Sequence, residues 1–160
     1  MQKNILNFWR LLAISLCVFG ITLPTHAGEK TDSGTAMFQL LEMKWQELAD
    51  GRRLGHETTR GFFFTENPES PLHNAVVLCR NTQVFSPEKE LPDFEVSLCE
   101  AQDPDGNLTW FVSNNQGSFD FLRGTGKFEG ITGEVRGVGG ISRQDDVHMA
   151  ILEVVWKIVK

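Results

Sequence analysis

The residues best suited to chemistry in this sequence are an arginine and a glutamate on an otherwise apolar strand face. Arg80 lies in the β-type run 72–85, and Glu100 lies in the run 93–102. A few charged groups inside a small barrel can orient one bound molecule. With Trp110, these two residues form the predicted ligand-binding site. An ion pair between them, or a bulge that turns both outward, remains the alternative interpretation.

This placement depends on how the two runs pair. A hairpin across residues 86–92 has its midpoint at Lys89, so Cys79 and Cys99 are equidistant from it and directly opposite. Cross-strand Cα atoms about 4.5–5.5 Å apart are within disulfide range. In an exported chain, which the N-terminal segment predicts, two remaining cysteines most simply pair with each other. The sequence therefore predicts a Cys79–Cys99 disulfide.

The same register sorts the hairpin into two faces. One face carries the two charges and six apolar residues: Val76, Leu78, Val84, Phe94, Val96 and Leu98. The other face carries Asn81, Gln83, Glu95, Ser97 and both cysteines. We predict that the apolar face is the core, and that Leu108, Trp110 and Val112 extend it through a turn at Asp105.

Other chemistry-bearing residues give weaker signals. Glu153 lies in the apolar run 147–159, where a carboxylate could serve as a general base, so it is a candidate catalytic residue; a solvated outward position is the simpler interpretation. His56 and His73 are isolated in the sequence. His148 lies on the same predicted strand face as apolar residues of its run. No zinc spacing is present. We predict no metal and no cofactor.

Two segments resemble ligand loops without matching them. The tract 124–130 has neither dinucleotide nor phosphate-loop spacing, and 103–107 lacks the terminal glutamate of a calcium loop. A G-x-S-x-G nucleophile motif is absent. The formal net charge is −6, with no Lys/Arg cluster. This charge argues against binding to nucleic acid or to an anionic membrane surface.

The N-terminal segment predicts export. Lys3 and Arg10 precede an apolar run over residues 11–21. The small residues Thr25 and Ala27 fit a cleavage site before Gly28. The run is shorter than the about 20 apolar residues that span a bilayer, so no integral membrane segment is expected after processing. We predict a signal peptide over 1–27, a flexible lead-in over 28–34, one domain over 35–160, and a periplasmic or secreted location.

The mature chain consists of short β-type runs separated by turn residues, which is typical of a sandwich or a barrel. The segment 37–48 has Phe38, Leu41, Trp45 and Leu48 at helical spacing. Because everything after it is β-type, a strand ending at the Asp50-Gly51 turn is preferred over a helix.

The second half of the chain resembles a known group. Cys99 through Asn107, followed by Gly117 through Gly133, match the pattern C-x-x-x-D-x-D-G-[DN] … G-T-G-K-[FY]-x-G-[IA]-T-G. This pattern is similar to that of small exported bacterial proteins of the allene oxide cyclase-like, dirigent-like group. Pro68, Pro71, Leu72 and His73 before Cys79 fit it too. The resemblance implies a single small antiparallel barrel of about eight strands, lipocalin-sized inside and often trimeric. It places no catalytic residue here.

Three functions follow as hypotheses. The first is an exported, cofactor-free β-barrel that binds a small, largely apolar ligand. The second is an isomerase or cyclase of the allene oxide cyclase sort. The third is a structural or interaction protein with a filled barrel, for which a homo-oligomer is a possible assembly. The sequence leaves open whether the protein is an enzyme.

Overall fold

The chain forms a closed antiparallel barrel. The computed structural model describes residues 28–89, 92–113, 118–144 and 147–159. Within these residues each strand pairs with its neighbour in the chain, and the eighth strand pairs with the first. The predicted all-β fold with a single antiparallel barrel of about eight strands is confirmed. The predicted signal peptide, residues 1–27, lies outside the described residues.

The strands are β1 (Lys30–Glu47), β2 (Arg53–Phe64), β3 (Ala75–Phe85), β4 (Phe94–Gln102), β5 (Leu108–Ser113), β6 (Ser118–Gly124), β7 (Ile131–Gln144) and β8 (Val147–Ile158), with one 3-10 turn at Gly126–Phe128.

The first strand begins earlier than the sequence predicts. Lys30 pairs with Trp156 and Gly34 with Leu152, so most of the expected lead-in over 28–34 belongs to β1. The polar composition of this stretch suggested a flexible segment. Its backbone groups instead close the barrel against β8, while most of its polar side chains face solvent.

The segment 37–48, which allowed a helix or a strand, is part of β1. A β-bulge between Leu40 and Glu42 inserts one extra residue opposite β2. Phe38 and Leu40 face inward before the bulge, and Met43 and Trp45 face inward after it. Because the bulge shifts the alternation by one residue, Phe38 and Trp45 both face inward although they are seven residues apart, while Leu41 is the inserted residue and is 53% exposed.

The predicted hairpin register is confirmed. Cys79 pairs with Cys99 between β3 and β4, and the two form a disulfide. Every neighbouring pair, from Val76 with Gln102 to Val84 with Phe94, follows the register centred on Lys89.

The prediction of which hairpin face forms the core is wrong. Cys99 is 1% exposed, whereas Leu98 is 44% exposed. The inside of a small barrel is narrow, so it accepts the small residues Ala75, Val77 and Ala101 alongside the cysteines. Apart from Phe85 near the open end, the larger apolar side chains of the hairpin lie on the outside of the barrel.

One half of the barrel interior is tightly filled. The segment between β2 and β3 covers this end of the barrel with Leu72, which is buried together with Ser70 and Pro71. The remaining core lies on the adjoining halves of the strands and includes Ala36, Phe63, Phe111, Phe121, Phe128, Ile131, Val135, Val154 and Trp156. This core does not fill the opposite end of the barrel.

The motif segments 103–107 and 124–130 form a structural clamp between two connections. The Oδ1 atom of Asp103 accepts hydrogen bonds from the backbone N–H groups of Asp105 and Asn107. The Nζ atom of Lys127 lies 2.8 Å from the Oδ2 atom of the same aspartate, whose side chain is 1% exposed. Gly126 has a φ of +57°, and a Cβ there would lie 2.0 Å from the Oδ1 atom of Asn107. Glycine is therefore required at this position.

The clamp has a defined electrostatic signature. Burial raises the pKa of Asp103, but the hydrogen bonds from Lys127 and Asn107 outweigh it and hold the pKa below the usual 3.8. The hydrogen bond to Asp103 raises the pKa of Lys127 above 10.5. The stabilisation from Asp103 is therefore complete above pH 3.8 and lost as pH falls through its lowered pKa. That from Lys127 is complete below pH 10.5 and lost as pH rises through its raised pKa.

Replacing Lys127 with Met should lower the free energy of unfolding by about 1 kcal/mol at neutral pH, because a half-exposed ammonium is partly screened. Urea denaturation at several pH values measures the loss. The difference from wild type should be greatest near neutral pH, shrink in acid as Asp103 is protonated, and shrink in alkali as Lys127 loses its proton. Lys44→Met, which removes a fully exposed ion pair, is the matched control and should change stability little. A loss equal to that control would contradict the clamp.

Replacing both Cys79 and Cys99 with Ala should lower the free energy of unfolding by about 3 kcal/mol. The bond joins residues 20 positions apart and so closes a loop in the unfolded chain. Urea denaturation of the double variant and of reduced wild type should show similar losses. Thiol labelling of unreduced, denatured wild type should find neither cysteine free. Two labelled cysteines would contradict the bond.

Candidate functional site

The end of the barrel opposite the packed half holds an open cavity of about 770 Å³, here called the mouth cavity. The β1–β2 and β3–β4 turns lie at this end of the barrel. Along β2, β3 and β4, the inward residues change from core to cavity near the disulfide. Cys79 belongs to the core and also lines the cavity. The disulfide thus forms part of the cavity floor.

Much of the cavity wall is apolar and aromatic. Phe38, Leu40, Met43 and Trp45 line it from β1, Phe85 from β3 and Phe119 from β6. Trp45 and Phe85 meet edge to face, with ring centroids 5.3 Å apart. The guanidinium of Arg53 lies 5.0 Å from the Trp45 ring centroid, which is within cation–π range. These three side chains form an aromatic and cationic rim.

The polar side of the cavity is centred on Glu57. Its Oε2 atom accepts hydrogen bonds from the Nδ2 atom of Asn81 and the Nε2 atom of Gln83, each at 3.3 Å. A carboxylate can only accept, so both amides must present their NH₂ groups to it. This orientation turns the Oδ1 atom of Asn81 away, and that atom is buried with no hydrogen-bond partner.

Two further polar residues of β4 line the cavity. The Oε1 atom of Glu95 accepts a hydrogen bond of 3.2 Å from the hydroxyl of Ser97, and the backbone N–H of Ser97 donates to the Ser113 hydroxyl at 2.7 Å. Ser97 is buried, whereas Glu95 is exposed. Within the described part of the chain, neither Glu57 nor Glu95 makes a salt bridge.

The structure places Arg80, Glu100 and Trp110 on the outside of the barrel, so the expectation that they line its interior is wrong. The Nε1 atom of Trp110 donates to the Oε2 atom of Glu100 at 2.7 Å, and Arg123 covers the Trp110 ring at 4.3 Å. Arg80 is exposed and makes no salt bridge within the described residues. The alternation along the strands correctly predicts which residues share a face. The apolar character of one face, however, predicts the wrong face as the inner one.

The remaining candidate residues from the sequence lie mostly outside the barrel interior. Glu153 is on the outside, where its Oε2 atom lies 3.6 Å from the Nε atom of Arg136, so it does not reach the interior as a base would. His56 contacts the Thr82 hydroxyl at 3.3 Å on the outer side. His73 contacts the carbonyl of Thr65 at 2.9 Å. His148 does face inward and lines the mouth cavity.

The residues that sequence reasoning missed are Arg53, Glu57, Asn81, Gln83, Glu95 and Ser97. Four of these share the cysteine face of the β3–β4 hairpin. The signal was their parity with two cysteines, which prefer buried positions. Glu57 and Arg53 carried no such signal, because the register of β2 against β3 could not be derived from the sequence.

In the described ranges no three His, Cys, Asp or Glu side chains converge in a way that could hold a metal ion. Over the same residues, no helix is both long and apolar enough to cross a membrane. Comparison of the chain with protein-family models, curated proteins and solved structures finds no match. The allene oxide cyclase-like resemblance therefore stays a prediction. The fold and the cavity define a small closed barrel, packed at one end and open at the other.

Proposed function

We propose that this chain is an exported barrel protein that binds a small, largely apolar molecule in the mouth cavity. The observation that carries the proposal is the cavity itself. Its volume, about 770 Å³, lies within the about 300–1,000 Å³ typical of small-molecule sites. Apolar walls with a few convergent polar groups are the usual composition of such sites.

The internal disulfide supports the exported location. Disulfides persist in oxidising compartments and are rare where thiols are kept reduced. Cys79 and Cys99 are joined within the barrel. Together with the basic and apolar start of the sequence, this bond supports a periplasmic or secreted protein.

An isomerase or cyclase activity stays a hypothesis. The cavity contains Glu57 and His148, which are residue types used in proton transfer. A general base must lie about 2.6–3.2 Å from the proton that it removes, and a bound substrate defines that distance. Binding is therefore the function to test first.

An uncharged, environment-sensitive fluorophore such as N-phenyl-1-naphthylamine should bind wild type with increased emission, because the cavity walls are apolar. Gln83→Trp should weaken this binding, since the new ring takes up part of the cavity beside its apolar wall. The matched control is Thr82→Trp, on the outer side of the same strand. It should bind the fluorophore as wild type does, and thermal melts should show both variants folded.

Two results would contradict the binding proposal. One is wild-type protein that gives no saturable fluorescence increase. The other is an increase of unchanged affinity in folded Gln83→Trp, because the fluorophore would then occupy another surface.

An apolar patch on the outside of the barrel supports a second candidate function, which is association with another protein surface. We name the outer apolar face by its members Val84, Phe94, Val96, Leu98 and Val112. Phe94, Val96 and Leu98 are all at least 40% exposed. Neighbours across the strands, Val84 with Phe94 and Leu98 with Val112, make the face continuous. Contiguous apolar surface of this kind marks interaction sites.

A second copy of the chain is the partner that this face fits best. Arg80 pairs across the strands with Leu98, and Glu100 lies two residues further along β4. Exposed Arg80 makes no salt bridge to any described residue. In a two-fold contact the same patch meets itself, so Arg80 of one copy can face Glu100 of the other.

Replacing Val96 and Leu98 with Lys should convert an oligomer to a monomer, because two charges would be buried in the apolar contact. Light scattering coupled to size-exclusion chromatography measures the mass. Leu122→Lys, on β6 and 55% exposed, is the control and should leave the mass unchanged. A wild type that is monomeric at all accessible concentrations would contradict this assembly.

A further inference from the structure

We propose that the ligand of the mouth cavity carries a protonated amine, held by Glu57, on an apolar body. This inference rests on the proposed binding function and specifies the chemical class of the ligand. It differs from the sequence-based expectation that Arg80 and Glu100 hold the ligand, because both lie on the outside of the barrel.

Glu57 is a carboxylate without a countercharge. Within the described residues its hydrogen bonds come only from the neutral side-chain amides of Asn81 and Gln83, and no Lys, Arg or His nitrogen lies within 4.0 Å. Both amides bond the Oε2 atom, so among the described residues the Oε1 atom has no hydrogen-bond partner. A carboxylate in a partly desolvated cavity gains most from a charged donor. An ammonium group supplies three N–H donors.

Asn81 contributes to the site through its side-chain NH₂ group, which donates to Glu57. Its Oδ1 atom is buried and has no hydrogen-bond partner. Because this atom is closed to water, an ammonium in the open cavity does not reach it either. A cavity ligand therefore meets the carboxylate of Glu57, to which an ammonium can donate and which would repel a carboxylate ligand.

The arginine that lines the cavity is placed away from Glu57. Arg53 is on the same strand, four residues before Glu57, so about 3.3 Å per residue puts their Cα atoms roughly 13 Å apart. Its guanidinium lies over the rings of Trp45 and Phe85. Glu57 thus lies deeper in the cavity than this cation, and apolar walls lie above it. This arrangement suits an amine at the floor with an apolar body toward the rim.

The test uses three compounds with one skeleton: 3-phenylpropylamine, 3-phenylpropanol and 3-phenylpropanoate. Each competes with the uncharged fluorophore for wild-type protein at pH 7. We expect the amine to bind at least tenfold more tightly than the alcohol, and the acid most weakly. Such a ratio corresponds to about 1.4 kcal/mol or more. Glu57→Gln keeps the size and removes the charge, so it should weaken amine binding tenfold or more and leave alcohol binding within threefold.

The matched control is Glu153→Gln, which removes a carboxylate from the outside of the barrel and should preserve the amine preference. In wild type, the side-chain amide NMR signals of Asn81 should shift with the amine and not with the acid. These readouts separate a local contact from a change in the overall charge of the protein.

Three outcomes would overturn the amine assignment while leaving the binding function intact. They are an acid that binds as tightly as the amine, an amine preference that persists in Glu57→Gln, and a fluorophore that none of the three compounds displaces. Acid binding that disappears in Arg53→Gln would reassign the charged anchor to the rim. A wild type that does not bind the fluorophore would reject the binding function itself.

Discussion

The cross-link between Cys79 and Cys99 is the constraint on which the rest of this barrel depends. It fixes β3 against β4 in one register, and a slip of one residue would move every side chain of the hairpin to the other face. It also lies where the interior changes in character, since Cys79 contacts the packed core and lines the mouth cavity. The same bond therefore fixes which residues of the hairpin share a face and marks the depth of the cavity.

Barrel closure explains the unusual distribution of polarity. A barrel of this size has little interior volume, and the large core rings at the packed end occupy much of it. Toward the mouth, the inward positions carry Glu57, Asn81, Gln83 and Ser97, where open space and solvent accommodate polar groups. Apart from Phe85, the larger apolar side chains of β3 and β4 lie on the outer surface, which is the reverse of a simple inside-apolar rule.

The glycine-rich motif and the cavity lie in different parts of the barrel and have different roles. The motif secures the β4–β5 turn to the connection after β6 through Asp103, Asn107 and Lys127. These residues hold the packed half together, and none of them lines the cavity. The most recognisable part of the sequence is therefore structural, whereas the candidate binding residues lie on strands without any motif.

The amino-acid sequence by itself determined the strand-rich fold, the hairpin centred on Lys89 and the disulfide, because these depend on local alternation and on distance along the chain. The parity of Asn81, Gln83 and Ser97 with the cysteines was also readable. Which face points inward was decided only by the tertiary structure, since alternation gives two faces and closure selects one. The meeting of Glu57 with Asn81 likewise depends on the β2–β3 register, across a connection whose geometry no local pattern specifies.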